Sequence, residues 1–187
     1  MCGARGDAVR AFVRFKLALV LLVTLAGCAS HAPMPGVAHV DLDRFMGDWY
    51  VIASIPTVVE RDIYNAVERY DRIGPNRIQT TFTYRKGSFD GERAQMEPVG
   101  FVGDDGSNAI WGMQFIWPIR ADYRVVYLDP DYRTTIIGRV KRDYVWIMAR
   151  SPRISDDAYR SLVEHVRALG YDISKLQRVP QRWEENS

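Results

Sequence analysis

The chain has 187 residues, 47% apolar, 12% aromatic and 26% charged, which excludes a disordered chain and a polytopic membrane protein. Its formal net charge of +2 does not indicate nucleic-acid binding. Its two cysteines, Cys2 and Cys28, build neither a disulfide framework nor a four-ligand zinc site.

In chain order, Arg5, Arg10, Arg14 and Lys16 precede an apolar run at 17–25, shorter than the about 20 residues a spanning helix needs. Residues 1–27 therefore read as a signal peptide, and their removal leaves a slightly acidic chain. Residues 28–39 are expected to form the N-terminus and an extended Pro-, Ala- and Gly-rich linker, with one domain at 40–187. Strands are predicted at 47–54, 64–73, 78–84, 95–102, 109–115, 123–128, 133–139 and 144–150. Gly74-Pro75-Asn76, Lys86-Gly87, the 103–106 run, Trp117-Pro118 and Asp129-Pro130 punctuate them. Eight short strands at this spacing suggest an all-β up-and-down barrel or a sandwich.

One segment breaks the pattern. Tyr159, Leu162, Val163, Val166 and Leu169 recur at helical spacing, after a capping Ser155 and before Gly170. This single amphipathic helix must lay its stripe on the outside of the sheet, and 176–179 can add a last short strand.

Leu25-Ala26-Gly27-Cys28 resembles the lipobox of bacterial lipoproteins. That resemblance implies acylation of Cys28, cleavage before it, and attachment to membrane lipid through more than one chain. Ala29, where Asp would signal inner-membrane retention, points to the outer membrane, with the periplasmic face as the expected side.

From Val40 to Trp183 the chain resembles the lipocalins, most closely the bacterial branch related to apolipoprotein D. Gly47-Asp48-Trp49-Tyr50 matches the G-x-W motif, and Asp129-Pro130-Asp131-Tyr132 matches the T-D-Y region with Pro in place of Thr. Arg150 ends strand eight, and Ile55-Pro56-Thr57 and the 151–176 segment also fit that branch. The resemblance implies an eight-stranded antiparallel barrel with the C-terminal helix outside. Gly47, Trp49, Asp131, Tyr132 and Arg150 would then build a closed base, with Arg150 stacked on Trp49.

An eight-stranded barrel has room for one small ligand. If Trp49 points inward, period-two alternation brings Val51 and Ala53 inward; if Arg150 reaches the base from inside, Met148 and Trp146 line the interior. On strand six either Tyr123, Val125 and Tyr127 or Arg124, Val126 and Leu128 face in; the cost of an unpaired buried arginine favours the first set. Trp111, Met113 and Phe115 form another inward stripe. A filled core explains any one stripe equally well, and the barrel architecture favours a cavity.

Open-end loops carry Arg61, Arg85, Lys86, Arg120, Arg139, Lys141 and Arg142 against Glu60, Asp62, Asp90, Asp122 and Asp143, whereas the closed-end loops are acidic. A basic mouth marked by Arg61, Arg85, Lys86, Arg120 and Arg142 would favour an anionic head above an apolar tail. No catalytic motif, metal-ligand spacing or cofactor fingerprint is present: His31 and His39 fall in the linker and His165 lies opposite the helix stripe. The expectation is a non-enzymatic, lipid-anchored carrier of fatty acids or lysophospholipids serving envelope lipid transport, storage or repair, as a monomer or a homodimer. The alternatives are a structural envelope lipoprotein with a filled barrel that docks a protein partner, and a lipocalin-like enzyme.

Overall fold

The computed structural model describes residues 33–183; the expected signal peptide and Cys28 lie outside the described residues. Alternating apolar positions produce ten strands in chain order. These are β1 (Gly47–Ile55), β2 (Ile63–Gly74), β3 (Arg77–Lys86), β4 (Arg93–Met96), β5 (Val99–Val102), β6 (Ile110–Ile116), β7 (Ile119–Leu128), β8 (Thr134–Gly138), β9 (Val145–Ala149) and β10 (Gln177–Arg178). The order β1-β2-β3-β5-β6-β7-β8-β9 is antiparallel, and β9 closes on β1 with Val51 opposite Met148. The expected fourth strand is broken at Glu97-Pro98, because proline has no N–H to give to a ladder. Of its two pieces, β4 pairs only with β3, and β5 carries the sheet on to β6. Together they make one strand of an eight-stranded barrel.

Among the described residues, two α-helices frame the barrel. Helix α1 (Leu42–Phe45), which the sequence pattern did not reveal, is capped by the Asp41 side chain and drives Phe45 into the base. Helix α2 (Asp156–Ala168) begins where Ser155 Oγ accepts from the Ala158 N–H at 3.2 Å, and Gly170 follows it at φ +86°. Its Leu162 and Val166 cover Ile52, Ile136 and Ile147 on the outer wall. For that reason β9 is buried on both faces: Trp146 and Met148 point inward, Val145, Ile147 and Ala149 toward the helix. Among the described residues no helix is long and apolar enough to cross a membrane.

The alternation slips at several points, and two of them move residues expected to line the cavity. β1 has a bulge between Val51 and Ala53, and β7 has one between Val125 and Tyr127. An extra residue flips every following side chain to the other face. Ala53 and Tyr127, expected inside, therefore belong to the outer cluster, and Tyr127 stacks on the exposed His165 at 4.5 Å.

The expected linker is also partly structured. Met34 is buried against Tyr171 and Gly138, Arg124 Nη1 donates to the Met34 carbonyl at 2.8 Å, and the Val37 N–H donates to the Val125 carbonyl at 2.8 Å. A Cβ at position 138 would meet the Tyr171 hydroxyl at 2.8 Å, so glycine makes this close approach feasible. Gly138 ends β8 on the open-end side of the barrel, and Met34 packs beside it.

Candidate functional site

The lower half of the barrel is solid. Trp49 is fully buried, its Nε1–H donates to the Phe45 carbonyl at 2.8 Å, and the Arg150 guanidinium lies 3.9 Å from its ring centroid. Arg150 also donates to the carbonyls of Asp48, Arg44 and Phe45 at 2.7–3.1 Å, so its buried charge is well supplied with acceptors. Gly47 makes this possible with φ +90°, a conformation that side chains disfavour. Tyr132, also in the left-handed region, accepts the Asp41 N–H at 2.8 Å and holds Arg44 over its ring at 4.0 Å. Asp131 stays on the surface, 3.0 Å from Arg133. Above this layer Phe45, Tyr70 and Trp111 pack ring against ring, with Val51, Val125 and Met148 among them.

The upper half is hollow. A cavity of about 240 Å³ is bounded by Thr80, Phe82, Met96, Pro98, Met113, Phe115, Ala121, Asp122, Tyr123, Arg139 and Trp146 from the wall, Glu68 from β2, and Thr57, Val59 and Glu60 from the β1–β2 connection. That connection folds as a 3₁₀ turn (Val58–Glu60), braced where the Thr57 N–H donates to Glu60 Oε2 at 3.1 Å. Of the ten side chains expected to line a cavity, Met113, Phe115, Tyr123 and Trp146 do so. Val51, Trp111, Val125 and Met148 fill the barrel beneath it, and the bulges put Ala53 and Tyr127 outside.

The polar chemistry of this space differs from the expected basic mouth. None of the five cations expected there lines the cavity. Arg85 donates to the Gly91 carbonyl, Lys86 pairs with Glu92, and Arg120 lies over the outward-facing Phe101 ring at 3.6 Å. Arg142 donates to the Leu169 carbonyl at the end of α2, and Arg61 is exposed beyond the 3₁₀ turn. The cavity lining instead holds three carboxyls, of which Glu60 and Glu68 are buried. The hydroxyls of Tyr70 and Tyr123 meet at Glu68 Oε2, the second at 3.1 Å, and are within hydrogen-bond reach of each other, so their two protons serve two of these three contacts at a time. Trp146 Nε1–H donates to Glu60 Oε2 at 3.2 Å. Burial pushes the Glu68 carboxyl up to about 7, against the pull of Tyr70 and Tyr123, and the nearby Glu60 adds to the rise. Burial likewise raises Glu60, opposed by its hydrogen bonds to Thr57 and Trp146.

Arg139 is the one cation of the lining. It reaches Asp143 at 3.4 Å through Nη1, while its buried Nε has no hydrogen-bond partner. Asp122 is fully engaged, accepting from Arg124 at 2.7 Å and from the Val140 N–H at 2.8 Å. Strand two did carry a signal for Glu68, which stands in phase with Ala66 and Tyr70 and so on the inner face. Glu60 had none, since a 3₁₀ turn inside a loop shows no periodicity.

The rim of the cavity is apolar and exposed. The β6–β7 turn presents Ile116, Trp117 and Ile119, with Trp117 82% and Ile116 73% exposed. Val58 and Val59 stand out from the 3₁₀ turn at the same open end, and Phe115 joins the turn to the cavity wall.

A family model described as a lipocalin-like domain matches residues 40–181. The chain is 33% identical to temperature-induced lipocalin-1 of Arabidopsis thaliana over 156 residues, 79% of this chain and 83% of that one. It is 30% identical to the outer membrane lipoprotein Blc of Escherichia coli over 175 residues, 88% and 97% of the two chains. Insecticyanin from the tobacco hornworm Manduca sexta superposes with a TM-score of 0.63 at 17% identity, covering 82% of this chain and 86% of the other.

Proposed function

The chain belongs to the lipocalin-like family, and on that premise we propose that it is a lipid-anchored carrier of single-chain amphiphiles, such as fatty acids or lysophospholipids, working at the periplasmic face of a bacterial outer membrane. The observation that carries this reading is the continuity of a small cavity with an exposed apolar rim. About 240 Å³ lies below the usual range of ligand pockets and suits one chain rather than two. An exposed tryptophan beside isoleucines and valines is the composition that settles at a bilayer interface. The lipobox resemblance at Cys28 and the likeness to a protein named as an outer membrane lipoprotein both support attachment there.

Pro33, the first described residue, follows Cys28 by five residues. With the apolar rim against the bilayer, a tether anchored at Cys28 has only a short span to cover, at about 3.3 Å per residue. The ligand then passes between bilayer and cavity without crossing water. Binding and release account for the whole of this role, without a chemical step.

The test is vesicle flotation of the chain from residue 29 onward, paired with native mass spectrometry after incubation with lysophospholipid. The expected result is vesicle binding that falls several-fold in an Ile116→Ser, Trp117→Ser double variant, together with one retained lipid per protein. A protein that neither floats nor retains lipid would overturn the reading.

A further inference from the structure

The carrier reading names a container, and the cavity's own polar groups narrow what it holds. Glu68 is more than nine-tenths buried and lines the cavity, yet both of its hydrogen bonds converge on Oε2. Its Oε1 accepts none among the described residues. The hydrogen bonds to the Glu60 carboxyl from Trp146 and the Thr57 N–H likewise converge on Oε2. Arg139, the only cation in the lining, is paired with Asp143 at 3.4 Å and makes no ion pair with either carboxyl.

A carboxylate-headed ligand entering head first would bring another anion against Glu60 and Glu68. Entering tail first, it would press an alkyl end over Glu68 Oε1 and remove any partner that oxygen could have. A donor at the buried end resolves both conflicts. Resting on the carrier reading above, we infer that the ligand enters with a hydrogen-bond donor leading, an ammonium or a hydroxyl, which is received by Glu68 on the inner wall beneath Glu60 of the β1–β2 connection. The chain then lies along Phe82, Met96, Met113 and Phe115 toward the rim.

Three probes of equal chain length separate the possibilities: decylamine, decanol and decanoate, titrated by calorimetry below their aggregation concentrations into the chain from residue 29 onward. Both donor-headed probes are expected to bind more tightly than decanoate, the amine by about tenfold or more at neutral pH. In Glu68→Gln, which keeps an acceptor for the tyrosines, the amine's advantage over decanoate should shrink to about threefold or less. Glu60→Gln tests the same preference from the other carboxyl if the first variant fails to fold. Decanoate binding most tightly, or a preference untouched by both substitutions, would overturn the donor-first inference while leaving the carrier reading intact. Failure of all three probes to bind would remove the carrier reading, and this inference with it.

Discussion

The two halves of the barrel share their strands and differ in what their polar atoms are bound to. At the base, Arg150 is surrounded by the carbonyls of Arg44, Phe45 and Asp48 and by the Trp49 ring, and nothing is left for a guest. In the upper half, Glu68 Oε1 and Arg139 Nε have no hydrogen-bond partner among the described residues. Trp49 below and Glu68 above are both buried. The lesson is that enclosure alone does not make a binding site; it takes enclosure with unspent hydrogen-bonding capacity.

Substitutions can set that contrast at risk. The largest effect is expected at the base, where Trp49→Ala should cost about 3–5 kcal/mol of unfolding free energy in a urea titration. A loss near zero would mean the base does not hold the barrel together.

Next comes the cavity. The Glu68 carboxyl titrates at about 7 in the folded protein against an ordinary 4.5, so between these values the folded state keeps a proton that the unfolded chain gives up. Its contribution is fully present below about pH 4.5 and is lost as pH rises through about 7, a decline of order 3 kcal/mol. Glu60, also raised, adds to the decline, whereas Tyr70 and Tyr123, held well above 10, do not titrate in this window. Asp122 and Arg139 are the other charged groups facing the space. Thermal unfolding of wild type and Glu68→Gln from pH 4 to 8 should show the steeper fall in wild type; parallel curves would contradict the buried-acid assignment.

The smallest effect is a difference between two identical changes. Met148→Ala removes a fully buried side chain from the packed lower barrel, at a cost of about 3 kcal/mol. Met113 already borders the hollow, so Met113→Ala loses contacts on fewer sides and should cost about 1 kcal/mol less. Equal losses in denaturant would erase the distinction between the halves.

Most of the frame was legible in the sequence. Turn residues separated the eight strands, the stripe from Tyr159 to Leu169 announced α2 and Ser155 its start, and Trp49 with Arg150 marked the base. What was missed has local causes. A bulge adds one residue without changing composition, so Ala53 and Tyr127 kept the right alternation on the wrong face. Helix α1 is only four residues long, too short to show a period. Met34 looked like linker because its partners, Tyr171 and Gly138, are more than 100 positions away. For the cavity, the apolar lining was within reach of alternation, but charged residues were sought in the loops. The decisive ones sit on an inner strand face and in a 3₁₀ turn.

The break at Pro98 gives the barrel uneven stiffness. At the level of β5 the backbone ladder is a complete hoop, so widening the base means breaking rungs. At the level of β4 the hoop has a gap, because β4 is bonded to β3 alone and does not reach β6. The wall beside Met96, Pro98 and Phe115 can therefore spread without sacrificing a backbone hydrogen bond. The container is rigid at its floor and compliant at its lip, along a slit that opens sideways as well as upward.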